Sequence, residues 1–149
     1  MGWTRGASIL GSVALALSFA ACGNDEGGEG GNVNVTLQEF SVGTDPASAP
    51  AGSVTFDATN EGPDDQHEFV VIKTDLGLTD LPVDENGAVD EEGEGIEIVD
   101  EIEPFDVGET ESLTVDLEAG SYVLICNVFD EDENEAHYQE GMRTSFTVE

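Results

Sequence analysis

Between Val33 and Val148, apolar residues recur at every second position in short runs, and the runs are separated by glycine, asparagine, aspartate or proline. Val33, Val35 and Leu37 alternate with Asn34, Thr36 and Gln38; Val54, Phe56 and Ala58 alternate after Ala51-Gly52; Leu113, Val115 and Leu117 do so ahead of Ala119-Gly120. A period of two sets one side of an extended segment against a core and the other in water, which excludes helices for these stretches. Phe69-Val70-Val71-Ile72 is an unbroken apolar run, suited to a strand covered on both faces. Tyr122 to Val128, then Phe146 and Val148, supply the last strands. The phase slips at Glu39-Phe40, where a bulge is expected to return Phe40 and Val42 to the core side. Seven or eight such strands predict an all-β sandwich or barrel of antiparallel type.

The acid-rich middle, Asp75 to Asp106, is harder to divide. Asn86-Gly87 is a hairpin signal, Glu91 to Gly95 reads as a solvated loop, and Ile96 to Ile102 fits either a strand or one helical turn.

The first residues follow another logic. Arg5 is the only charge before Asp25, and Ala7 to Ala21 is continuously apolar or small, the pattern of a secretory signal peptide. Leu17-Ser18-Phe19-Ala20-Ala21-Cys22 resembles the lipobox of prokaryotic lipoproteins, which implies cleavage at 21 and lipid on Cys22. The alternative is an ordinary signal peptide that happens to contain a cysteine. Gly23 to Asn32 holds glycine and acid with nothing to bury, a flexible tether. The expected organisation is a signal peptide at 1–21, an anchored linker at 22–32 and one domain at 33–149, outside the cytoplasm. No apolar run reaches the roughly 18–20 residues of a spanning helix, so the lipid is the expected membrane contact.

The chain carries 34 Asp+Glu against 3 Lys+Arg, a net charge of -31. Phosphate binding needs a basic footprint, so nucleic acid is excluded as a partner. The charge is compatible with steering toward a basic partner protein or with solvation at high salt, where the Debye length shrinks to about 3 Å at 1 M.

Past the leader, few side chains carry metal or redox chemistry. His67 opens the run His67-Glu68-Phe69-Val70-Val71, Cys126 ends Tyr122-Val123-Leu124-Ile125, and His137 and Met142 frame His-Tyr-Gln-Glu-Gly-Met before the final strand. Singly, each has a plain reading: inert core cysteine, strand-edge histidine, core methionine. Together, one thiolate, two imidazoles and one thioether are the donor set of a blue copper site, a His2Cys plane with a long axial Met. Soft sulfur favours Cu(I) while imidazole accepts both oxidation states, so a rigid site of this kind supports one-electron transfer.

Ala51-Gly52-Ser53-Val54-Thr55-Phe56, Asn60-Glu61-Gly62, His67 to Val71, Ala119 to Cys126, His137-Tyr138 through Gly141-Met142 and Phe146-Thr147-Val148 resemble the cupredoxin family over roughly 33–149. The resemblance implies a Greek-key β-sandwich and one type 1 copper ion. It implies His67, Cys126 and His137 as equatorial ligands and Met142 as the axial one. It further implies an electron carrier rather than an enzyme, working as a monomer with a redox partner protein. His137 would be the ligand nearest the surface and the electron's exit. Two departures stand out. Ten residues, Asn127 to Ala136, separate Cys126 from His137 where the family usually has a few, and Glu68 follows the first histidine where Asn or Ser is usual. A copper storage or delivery protein on the same fold, and a metal-free interaction domain, are the competing functions. Asp130, Asp132 and Asn134 begin like a calcium loop, but Glu135 and Gly141 stand where its glycine and closing glutamate belong. A nucleophilic role for Cys126 with a histidine lacks any nameable oxyanion donors.

Overall fold

Period-two segments bury only one side, so two sheets must close on each other. The computed structural model describes Gly2 and residues 30–149; apart from Gly2, the expected leader and the lipidation site at Cys22 lie outside the described residues. The strands are β1 (Asn32–Gln38), β2 (Ser41–Asp45), β3 (Ser48–Ala49), β4 (Gly52–Asn60), β5 (His67–Thr74), β6 (Ile96–Phe105), β7 (Thr110–Leu117), β8 (Gly120–Ile125), β9 (Phe129–Asp130), β10 (Glu135–Ala136) and β11 (Arg143–Val148). A single helical turn, α1 (His137–Glu140), precedes β11. One sheet runs β2-β1-β4-β7 and the other β3-β11-β8-β5-β6, with β9 and β10 forming a separate hairpin.

The alternating residues meet as expected. Val33, Val35 and Leu37 of β1, Val54, Phe56 and Ala58 of β4, and Val115 and Leu117 of β7 share one core with Phe69, Val71, Leu124 and Phe146 of the facing sheet. Phe56 lies at its centre, its ring 5.3 Å from that of Phe69 and 5.4 Å from that of Phe146. The unbroken run of β5 is also explained. Val70 and Ile72 point to the other side, where Val123, Ile125, Leu81, Val89 and Tyr138 form a second cluster. The segment between β5 and β6 therefore roofs the sheet, and the Tyr138 hydroxyl donates to the Leu78 carbonyl at 2.7 Å.

Three local expectations are corrected. Glu39 and Phe40 form a two-residue turn between β1 and β2, with Gln38 paired to Ser41, rather than a bulge within one strand. The sheets are mixed, because β1 runs parallel to β4 and β11 parallel to β3. Asn86-Gly87 makes a turn held by the Asp84 carboxylate on the amides of Asn86 and Ala88, but only Val83 and Val89 bridge across it. Ile96 to Ile102 resolves as strand, within the edge strand β6, whose Glu97, Asp100, Glu101 and Glu103 are exposed. Charges of one sign along an edge keep it from pairing with another chain.

Phe56→Ala removes the ring that bridges both sheets. It should cost about 3–5 kcal/mol, read as a lower midpoint in denaturant unfolding with the slope unchanged.

Candidate metal centre

Strand register brings the chemistry-bearing residues together. β5 and β8 are antiparallel, with Val70 opposite Ile125, so the start of β5 lies beside the end of β8. His67 opens the first and Cys126 follows the second. β11 pairs with β8 from Arg143 opposite Ile125, and the Cys126 amide donates to the Met142 carbonyl at 3.1 Å. The Met142 amide in turn donates to the His137 carbonyl at 2.9 Å across α1. Three segments thus reach one end of the sandwich within a single hydrogen-bonded frame.

There the Nδ1 atoms of His67 and His137 stand 3.2 Å apart, and the Cys126 Sγ lies 3.9 Å from the first and 3.5 Å from the second. All three side chains are buried, and Met142 is equally enclosed in the core cluster that holds Cys126. Two imidazole nitrogens and a sulfur at these separations span the triangle filled by a first-row metal ion bonded at about 2.0–2.3 Å. The donor set and its spacing therefore fit one type 1 copper ion.

Electrostatics agree. Burial, followed by the proximity of the His137 ring, pushes the His67 pKa down, which favours the neutral imidazole that a metal ion needs as a ligand. Burial pushes the Cys126 thiol up to about 12, against the opposing effect of the Val128 and Glu68 amides. The Glu68 amide donates to Sγ at 3.4 Å. The sulfur's hydrogen bond therefore comes from the backbone, and a glutamate in place of Asn or Ser does not remove it. The Glu68 side chain instead meets Glu91 and Glu101, and burial, reinforced by those two and Glu103, raises its pKa to about 7.

The long Cys-to-His connection is a hairpin. Phe129 pairs with Ala136 and Asp130 with Glu135, and the His137 amide donates to the Val128 carbonyl at 2.9 Å. The Asp130 carboxylate accepts the amides of Asp132 and Glu133 at 2.7 and 3.0 Å, and Asn134 adopts a left-handed φ of 56°. The residues that opened like a calcium loop thus build a turn. His137 does not emerge at the surface: it is buried as completely as His67, with the edge of Phe40 against it at 5.3 Å between ring centroids.

Sequence reasoning did not find four neighbours of this cluster. Glu39 Oε1 lies 3.5 Å from His67 Nε2 and Asp65 Oδ2 lies 3.8 Å from His137 Nε2. Phe40 covers His137. Buried Asn60 donates to the Asp65 and Phe105 carbonyls at 2.9 and 3.0 Å and accepts the Gly62 amide at 2.8 Å, fixing the loop that leads to His67. Only Asn60 had a signal, as part of the Asn60-Glu61-Gly62 segment.

No protein-family model and no curated protein sequence matches the chain. Solved structures do. Reduced auracyanin from the photosynthetic bacterium Roseiflexus castenholzii is 21% identical, with a TM-score of 0.55 over 79% of this chain and 96% of that one. Auracyanin A, a "blue" copper protein from Chloroflexus aurantiacus, is 18% identical, with a TM-score of 0.52 over 79% and 98%. Rusticyanin from Thiobacillus ferrooxidans is 21% identical, with a TM-score of 0.50 over 79% and 76%. At such identities the likeness is one of architecture, and it agrees with the strand order derived above: the chain has the cupredoxin fold, a Greek-key β-sandwich.

Proposed function

We propose that this protein is a type 1 copper electron carrier, with His67, Cys126 and His137 as equatorial ligands and Met142 as the axial one. The observation that carries the reading is the buried triangle of two Nδ1 atoms and one Sγ, with edges of 3.2, 3.5 and 3.9 Å. Bound copper would supply a one-electron couple between Cu(I) and Cu(II). The protein's part is to hold its donors still. His67 and Cys126 stand on adjoining strands, and His137 and Met142 are joined through the backbone of α1. Little can move on a change of charge, which keeps the reorganisation cost of each transfer low. Phe40 and Val128 pack against the core cluster that holds the fully buried Cys126, which keeps bulk water from the sulfur.

A storage or delivery protein hands its ion to another chain and needs an open approach to it. Burial of all four donors speaks for retention instead. Lipid attachment at Cys22 and a place outside the cytoplasm belong to the same proposal, resting on the leader sequence alone. A redox partner protein of unknown identity belongs to it as well; the acidic surface fits steering toward a basic partner and solvation at high salt alike. Among the described residues, no helix is long and apolar enough to cross a membrane.

Copper-loaded, oxidised protein should be intensely blue through thiolate-to-copper absorption, and Cys126→Ser should abolish the band while leaving the fold intact by circular dichroism. A colourless wild type that takes up no copper would sink the assignment.

The thiol also sets a pH dependence. Metal requires thiolate, whereas the buried free thiol keeps its proton up to about 12. Between the imidazole range and that value, loading releases this proton, so apparent affinity should rise about tenfold per pH unit. Competition titrations with a chelator across pH 7–9 read that slope, and a flat profile would contradict it.

A further inference from the structure

The outer nitrogens of both imidazoles face carboxylates that the ligand set does not use. His67 Nε2, His137 Nε2 and Glu39 Oε2 are all buried without a hydrogen-bond partner. Such groups are costly unless something gives them a role. Glu39 Oε1, 3.5 Å from His67 Nε2, accepts the Asp64 and Asp65 amides at 3.1 and 2.6 Å. Asp65, held in turn by Asn60 at its carbonyl, sets its own carboxylate 3.8 Å from His137 Nε2. One turn residue therefore faces the first histidine and braces the loop whose carboxylate faces the second.

We propose that Glu39 and Asp65 are positioning residues for the metal centre: their negative charges hold the proton of each imidazole on Nε2, aim both Nδ1 atoms inward and favour the oxidised state of the ion. This rests on the copper reading above. An ion shared by the two Nδ1 atoms leaves each ring with its only proton on Nε2, where a carboxylate stands ready to accept it. Reduction adds one negative charge between two existing ones, so the pair disfavours the reduced form. The Glu39 side chain is 10% exposed and that of Asp65 is 31% exposed, so Glu39 acts through less solvent and should have the larger effect.

A purely structural Glu39 would act as a loop staple through Oε1. Glu39→Gln keeps that oxygen for the Asp64 and Asp65 amides, removes the charge and sets an NH2 group in place of Oε2. In the copper-loaded protein, Glu39→Gln should weaken Cu(II) binding about tenfold more than Cu(I) binding, raising the midpoint potential by about 59 mV. Asp65→Asn should move it the same way by less. Glu39→Asp, which keeps the charge but shortens the reach to the loop amides, should stay closer to wild type than Glu39→Gln. Voltammetry gives the potentials, and competition titrations with Cu(I)- and Cu(II)-selective chelators give the affinities. A blue wild type whose potential does not move in Glu39→Gln overturns this inference alone. So does a Glu39→Asp that shifts as far as Glu39→Gln. A wild type without the blue band overturns the copper reading and this inference with it.

Discussion

The antiparallel register of β5 on β8 is the constraint from which the rest follows. Backbone hydrogen bonds set Val70 opposite Ile125, and with that pairing fixed His67 and Cys126 have no freedom to separate. The pairing of β11 with β8 then brings Met142 alongside, and α1 leaves His137 one turn away. A slip of one residue in β5 would turn Phe69 and Val71 from the main core to the outer face and carry His67 away from the sulfur. Burial of apolar side chains on both faces of β5 therefore enforces the same register that assembles the donors.

Charge is divided sharply between surface and interior. The two described cations are both engaged: Lys73 pairs with Glu118 at 2.6 Å, while Arg143 lies over the Tyr138 ring and donates to its carbonyl. The outer surface therefore presents a field of nearly one sign, short-ranged in salt because the Debye length is about 8 Å at physiological strength. Beside the imidazoles, Glu39 and Asp65 are only partly exposed, so solvent screens them less than the carboxylates of the open surface.

Much of this was legible in the residues. Alternation gave the core positions of β1, β4 and β7, and the continuous run in β5 signalled a strand covered twice over. The donor types and their order marked His67, Cys126, His137 and Met142, which the fold gathers at one end of the sandwich. What stayed hidden depends on pairing between distant segments. Nothing in Gln38-Glu39-Phe40 tells a bulge from a turn, because that is decided by β1 meeting β2. Glu39 is one acid among many until the 60s loop is seen to fold over it. The exposure of His137 was misjudged for a related reason, since Phe40 from a remote turn covers it.

The β9–β10 hairpin is fastened at its base, where Val128 meets His137 and Phe129 meets Ala136. A loop closed on itself passes none of its length to the residues on either side. The tip, Glu131 to Asn134, is accordingly a place where the chain can be lengthened or exchanged without altering the span between thiol and imidazole. It offers an attachment point close to the centre for tethering the protein to a conducting surface in a chosen orientation.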